Sequence, residues 1–248
     1  MVRKAQNIIV LKDVESTNNY ANQLILSNAE EGTVVLAQFQ KKGRGQQGNQ
    51  WESQSGKNLL ASIILYPKFL QAGNQFLISK MVSLALVEYL RHEVGDVCIK
   101  WPNDIYIGNK KIAGILIENA IKGRNLFSSV IGVGLNLNQQ KFLSDAPNPV
   151  SLYQLTGKEY NVKGVVSEIT ELIFKWYKKI ELGNYAEIDA LYLSQLFRFG
   201  AWEKYSKEGI RFEAKIVGIG EFGQLLLKDR NGVISENVFK EVEFVIGD

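Results

Sequence analysis

Residues Val97 to Leu137 read VCIKWPNDIYIGNKKIAGILIENAIKGRNLFSSVIGVGLNL. Val97 to Trp101 has the β-branched, apolar character of a short strand, and Pro102-Asn103-Asp104 ends it. Ile105 to Ile107, the turn Gly108-Asn109 and Lys111 to Glu118 then read as a hairpin. Leu126 to Leu137 is a further strand, interrupted by Gly132 and Gly134. The middle of the chain is therefore sheet.

Toward the N-terminus, Gln75 to Val94 carries apolar residues on nearly all sides, which predicts a helix buried against that sheet. Asn58 to Tyr66, Thr33 to Gln40 and Asn7 to Lys12 predict three more strands. Ser16 or Thr17 can cap a helix running to about Asn28, with Tyr20, Leu24 and Ile25 on its apolar side. Lys41 to Trp51 holds three glycines and no aliphatic side chain, so it reads as a loop.

Toward the C-terminus, Gln139 to Pro149 is polar and proline-bearing, a loop. Val162, Val165, Val166, Ile169, Leu172, Ile173, Trp176 and Ile180 recur at helical spacing with charges between them, an amphipathic helix. Tyr185 to Leu196 predicts a shorter one. The period then changes: Ile210, Phe212, Ala214 and Ile216 alternate with charged residues, as do Val242, Phe244 and Ile246. Four or five short strands there predict a small β-barrel. The boundary falls near Phe199, giving domains 1–198 and 199–248.

The chain has 248 residues, 46% hydrophobic and 22% charged, the balance of an ordinary globular protein. Its net charge of +3 is too small to argue for nucleic-acid binding by itself. One cysteine, Cys98, excludes a disulfide framework and a Cys-rich zinc site. One histidine, His92, argues against His-based metal sites and Ser-His-Asp catalysis. Lysine, arginine, carboxylates and backbone dipoles must then carry any chemistry. No apolar run approaches the ~18 residues of a membrane span, and none resembles a signal peptide. The expected compartment is the cytoplasm.

Three segments are candidates for chemistry. The loop Gly43 to Trp51 offers backbone N–H groups and the Arg44 fork to a phosphate or carboxylate, although such segments are more often plain surface loops. It is not a Walker A loop, since no Gly-Lys-Ser/Thr ends it. Lys100-Trp101-Pro102-Asn103-Asp104, followed by Lys110 and Lys111, places lysines at a strand end and a hairpin. Asp104 suits a magnesium ion or a ribose hydroxyl; taken alone, the two lysines read as solvated turn residues and Trp101 as core. Gly132-Val133-Gly134-Leu135-Asn136 reads as close backbone approach to a ligand, with Asn136 able to meet a nucleobase edge, or as a bulge and turn.

In this order the motifs resemble those of the biotin–protein ligase family. They stand here as Ser16-Thr17-Asn18, GRGQQGNQW from Gly43, KWPND from Lys100, Lys111 through Glu118, and GVGLN from Gly132 to Asn136. The resemblance runs from Lys12 to the C-terminus. It implies an α+β fold: a mixed β-sheet catalytic domain of the class II synthetase-like, biotin–lipoate ligase type, followed by a small SH3-like barrel. It implies an ATP-dependent ligase that makes biotinyl-5′-AMP with magnesium and passes biotin to a lysine of a biotin carboxyl carrier protein domain. Larger relatives add an N-terminal DNA-binding domain. The motifs begin near this chain's start, so a monofunctional ligase with no DNA or membrane partner is expected, with monomer and homodimer both open.

The same resemblance implies residue roles. Lys111 and Arg44 are the catalytic cations, with Lys110 the alternative lysine. Ser16, Thr17, Asn18, Gln40, Gly43, Arg44, Gly45, Gly114, Leu116, Gly132 and Val133 hold biotin. Trp51, Lys100, Asp104, Asn136 and Lys204 face the nucleotide, Asp104 also serving as metal ligand. The loop 41–54 and the segment 122–125 are expected to close over the ligands. Two departures stand out: Gln46 and Asn49 occupy positions where the family usually has arginine. The expected consequence is a looser hold on the adenylate, unless Lys42 substitutes. The last strand also lacks an arginine that some relatives direct toward the nucleotide. A lipoate–protein ligase, a non-catalytic biotin-binding module and a DNA-binding repressor are the rival readings.

Overall fold

The computed structural model describes residues 7–46, 50–143 and 148–246. Its N-terminal part runs β1 (Asn7–Val14), α1 (Thr17–Leu26), β2 (Thr33–Gln40), β3 (Leu59–Leu65), α2 (Phe76–Glu93), β4 (Val97–Lys100), β5 (Asp104–Ile107), β6 (Lys110–Lys122) and β7 (Asn125–Leu135). Among the described residues these strands form one seven-stranded sheet in the order β1-β2-β3-β7-β6-β5-β4. β1 and β2 are parallel, and the other neighbours are antiparallel. The sheet is mixed, as the resemblance implies.

The two faces follow from the two-residue period of β3. Leu59, Ala61, Ile63 and Leu65 join the large core with Ile78, Met81 and Ala85 of α2. Val166, Ile169 and Ile173 of α4 (Val162–Glu181) and Ile188 of α5 (Tyr185–Ser194) complete it. Ile64 points the other way and packs with Val35, Val130 and Ala21 of α1. Helices thus cover one face broadly, whereas α1 alone covers part of the second.

Several elements differ from the sequence reading. β6 continues to Lys122, because its ladder with β7 runs to the pair Lys122–Asn125 and its polar side chains mask the strand pattern. A short helix, α3 (Leu152–Thr156), follows the polar loop, closed by a Ser151–Gln154 capping box and by Gly157 at φ 72°. Ser16 occupies the N-cap of α1 but makes no side-chain capping bond. The turn at 122–125 does not reach the ligand cavity described below. It is fastened to the 70–72 segment by Ala72 N–H to Arg124 O and Leu126 N–H to Leu70 O, each 2.9 Å.

The C-terminal strands are β8 (Glu203–Lys207), β9 (Ile210–Ile219), β10 (Leu225–Asp229), β11 (Ile234–Asn237) and β12 (Glu243–Phe244). They form an antiparallel SH3-like sheet in the order β11-β10-β9-β8-β12. The expected barrel does not close among the described residues: β11 and β12 remain its two edges, and β12 is only two residues long. Tyr205, Ala214, Ile216, Leu225 and Leu227 belong to the same apolar core as α2 and the large sheet. Trp101 adds a polar tie, its Nε1–H donating to Gly223 O at 2.9 Å. No helix among the described residues is long and apolar enough to cross a membrane.

Candidate active site

Beyond α1, the second face of the large sheet floors a cavity of about 720 Å³. One end of it is polar. Gln40 Oε1 accepts both from Thr17 N–H at 2.8 Å and from Thr17 Oγ1 at 3.0 Å. The first turn of a helix has backbone donors without intrahelical partners, so Gln40 does here what Ser16 was expected to do. Asn18 is buried beside it. Its Nδ2 donates to Leu116 O at 3.2 Å, and its Oδ1 accepts from Ser62 Oγ at 2.6 Å. The sheet admits this amide because position 132 is glycine: a Cβ there would lie 2.5 Å from Asn18 Oδ1.

The middle of the floor is flat for a similar reason. Gly114 of β6 stands opposite Gly134 of β7. The Trp51 ring lies over both, and a Cβ on Gly134 would come within 2.5 Å of its Cε2. Trp51 arrives there because the loop folds back on itself: Trp51 N–H donates to Gly43 O at 3.0 Å, and Arg44 bridges to Gln50. The indole Nε1 is buried with no hydrogen-bond partner in the protein.

Cationic groups line the remainder. Lys111 Nζ lies 2.7 Å from Asp104 Oδ1 and 5.5 Å from the Trp51 ring centroid. Its neighbour Lys110 is exposed and lies off the cavity. Arg44 pairs with Glu118 at 2.9 Å. Lys100 Nζ sits 5.0 Å over the Tyr106 ring and 5.3 Å from that of Phe244. Burial pulls the Lys100 ammonium below the ordinary lysine range; Asp104 opposes that shift, and Lys111 and Arg198 add to it. Burial also pushes the Tyr106 phenol up.

The structure brings Ser16, Thr17, Asn18, Gln40, Arg44, Gly45, Trp51, Lys100, Asp104, Lys111, Gly114, Leu116, Gly132 and Val133 to this one cavity. Gly43 lines the adjoining depression behind the loop. Asn136 is not brought there: it is buried, with its Nδ2–H spent on Val150 O at 3.0 Å. Lys204 is exposed on β8 and does not line the cavity either. Lys42 is held by Glu15 at 2.9 Å, away from the main cavity. Of the two departures from the family loop, Gln46 lines the cavity, whereas Asn49 lies outside the described residues together with 47 and 48.

The sequence reading missed the opposite wall. Phe239, Lys240, Val242, Glu243, Phe244 and Ile246 come from the C-terminal segment. Nothing in their strand-like alternation points to a ligand; Trp101 and Phe239, with ring centroids 6.3 Å apart, bring them over the sheet. Ser62 was missed as well, being one small polar residue inside an apolar strand.

A metal ion has little to bind. Among the described residues no group of three or more His, Cys, Asp or Glu side chains converges. Asp104 is already paired with Lys111. The donor set therefore forms no all-protein magnesium cage among the described residues; a single carboxylate such as Asp104 suits a magnesium that arrives with waters and substrate phosphates as its other ligands.

A polar end, a flat glycine floor under an indole, and a cationic stretch walled by a second small sheet define a class: enzymes that hold an extended acid against a phosphate-bearing partner. The family model described as "Biotin/lipoate A/B protein ligase family" matches residues 10–136. The bifunctional ligase/repressor BirA of Bacillus spizizenii is 33% identical over 235 residues, 92% of this chain and 71% of that protein. The biotin–[acetyl-CoA-carboxylase] ligase of Paracoccus denitrificans is 29% identical over 201 residues, 77% of this chain and 81% of that one. The biotin protein ligase of Aquifex aeolicus, solved with biotin and ATP, superposes with a TM-score of 0.79 at 30% identity, covering 97% of this chain and 100% of that one. The chain belongs to the biotin/lipoate A/B protein ligase family.

Proposed function

We propose that the cavity is the active site of an ATP-dependent biotin–protein ligase. It forms biotinyl-5′-AMP from biotin and ATP, then passes biotin to a lysine of a carrier protein. The observation that carries this reading is the continuity of one cavity, from Thr17, Asn18 and Gln40 at its polar end to Arg44 and Lys111 at its cationic part. A ureido ring is an array of donors and acceptors and needs partners when buried. The polar end supplies both kinds, while Gly132 and Gly114 let Asn18 and the Trp51 ring sit close to the sheet, leaving the cavity above them for the thiophane ring and valeryl chain.

The carboxylate then meets Arg44. Both reactants of the first step are negative, so the site's task is electrostatic. Arg44 and Lys111 offset the repulsion as the carboxylate oxygen attacks the α-phosphate, and they stabilise the charge that gathers on its oxygens. Lys100 faces the outgoing pyrophosphate. Magnesium arrives on the nucleotide as part of the substrate. Trp51 flanks the adenine and closes the floor against water. In the second step the carrier amine attacks the mixed anhydride and AMP departs, with no covalent enzyme intermediate.

The division of labour follows the two sheets. Residues 1–198 bind biotin and most of the nucleotide, and residues 199–248 contribute the wall from Phe239 to Ile246. The acceptor is a biotin carboxyl carrier domain, and the compartment is the cytoplasm, in keeping with the free thiol of Cys98. The small net charge gives no support to a DNA partner. Pyrophosphate exchange with MgATP, offering biotin or lipoate as the acid, tests the reading. Exchange with biotin alone supports it. Exchange with lipoate assigns the cavity to the sister activity, and no exchange despite biotin binding overturns the ligase.

A further inference from the structure

The carboxylate of Glu118 has no part in the roles above, yet both of its oxygens are engaged. Oε1 lies 2.9 Å from Arg44 Nη2. Oε2 accepts from Asn18 Nδ2 and from Asn22 Nδ2, each at 3.1 Å. Arg44 Nη2 also donates to Asn19 Oδ1 at 2.7 Å. One residue of β6 thus grips the start of α1 with one oxygen and the loop's guanidinium with the other. The strand period explains its position: Gly114, Leu116 and Glu118 alternate on the same face, two floor residues and then the carboxylate.

A guanidinium carries five N–H donors in a rigid fork. Glu118 and Asn19 both take Nη2. The Nε and Nη1 hydrogens, which point to opposite sides of the guanidinium, remain for single hydrogen bonds to an anion, and Arg44 lines the main cavity. Both partners are partly exposed, with side-chain exposures of 42% and 31%. An ion pair in that setting contributes little to folding, so its worth lies in orientation.

We propose that Glu118 is a positioning residue for adenylate formation. It does not touch the ligand. It fixes the orientation of the Arg44 guanidinium at the cavity and ties it to Asn18 at the polar end. The inference rests on the ligase reading of the cavity and assigns a role to a group outside it.

Glu118→Gln is the discriminating variant. Its single carbonyl oxygen cannot accept at both ends, so an amide N–H must face either Arg44 or the two asparagines. Losing one charge-assisted hydrogen bond is expected to lower kcat/KM for biotin-dependent pyrophosphate exchange by about tenfold or more, with the thermal midpoint unchanged. Glu118→Asp keeps both oxygens and recovers part of the loss. In an Arg44→Lys background, which has no fork to aim, adding Glu118→Gln produces no further loss. Multiplying losses in the double variant, or a single variant equal to wild type, would overturn the role of Glu118 while leaving the ligase reading intact. A lowered thermal midpoint that accounts for the whole loss would overturn it too. A wild-type protein that does not exchange with biotin removes the ligase reading and this inference together.

Discussion

Lys111 Nζ stands 2.7 Å from Asp104 Oδ1, across the hairpin of β5 and β6. The pair is partly shielded, with side-chain exposures of 25% and 19%, and the indole of Trp51 flanks the ammonium. A lysine side chain has several free rotors, so an unpartnered ammonium would sample many positions. Asp104 removes that freedom and points the charge into the cavity.

Lys111→Ala is therefore expected to lower the rate of adenylate formation by about a hundredfold or more, the usual scale for removing one preorganised group that meets developing charge. Asp104→Asn should cost less, because the ammonium survives and only its aim is lost. Pyrophosphate exchange measures both, and unchanged circular dichroism shows that the fold is intact. Normal exchange by folded Lys111→Ala would shift the catalytic role to another lysine.

Gly134→Ala tests the floor. The added methyl would sit 2.5 Å from Trp51 Cε2, and backbone beneath it cannot yield as a flexible side chain can. The indole is expected to be displaced, changing the tryptophan emission and weakening ATP binding by tenfold or more on the scale of an aromatic contact, ~1–3 kcal/mol. Biotin binding in the absence of ATP should change much less. Equal losses for the two ligands would mean that Gly134 serves the whole floor and not the nucleotide end.

Much of this arrangement is legible in the chain itself, and the limits have physical causes. Gly132 and Gly134 interrupt an apolar strand, and that interruption corresponds to Asn18 and Trp51 lying on the sheet. α4 shows in its period of apolar residues, and α3 could have been found from Ser151, Gln154 and Gly157. Asn136 misleads because an amide in a glycine-rich strand suits a ligand and a buried backbone carbonyl equally well. The wall from Phe239 to Ile246 lies beyond reach of local pattern, since it depends on how the small sheet is seated. The expectation of a closed barrel is not met among the described residues for a related reason: alternation predicts strands, not how the edge strands pair.

The seating of the small sheet rests partly on Trp101. Its indole N–H donates to Gly223 O at 2.9 Å and its ring meets Phe239. Trp101→Phe keeps an apolar ring and deletes the donor, leaving a buried carbonyl unpaired. A stability loss of about 1–3 kcal/mol is expected, read as a lower urea midpoint at constant m-value. Because Phe239 to Ile246 wall the cavity, KM for ATP should rise as well. A stability loss with no change in KM would separate the tie from the nucleotide site.

Lys100 sets function against stability. Burial lowers its pKa from the ordinary 10.5. In the window below 10.5 and above its folded value, the unfolded chain binds the extra proton, so stability rises with pH. Below the folded value the full penalty of a buried charge is present. Lys100→Met is accordingly expected to raise the thermal midpoint at neutral pH and to flatten its rise toward alkaline pH. The same variant should slow pyrophosphate exchange, since it removes a cation from the nucleotide's side of the cavity. A midpoint that fell on substitution would show that Asp104 and the Tyr106 and Phe244 rings more than offset the burial of the charge.

Gln46 bears on how long the adenylate stays. It lines the cavity next to Gly45 and Arg44, where an uncharged amide offers an anion one ordinary hydrogen bond. Lys42 pairs with Glu15 at 2.9 Å and does not line the main cavity. Gln46→Arg would add a charge-assisted contact worth ~1.5–3 kcal/mol, which corresponds to adenylate release slowed by about tenfold to a hundredfold. Release is measured by loading the enzyme with labelled biotin and ATP and chasing with unlabelled biotin. The rate of forming the adenylate should change less, because the proposed mechanism assigns the reacting atoms to Arg44 and Lys111. A release rate unaltered by Gln46→Arg would place the retaining charge on the far wall, where Lys240 also lines the cavity. In that case Lys240→Ala, not the loop variant, should accelerate release.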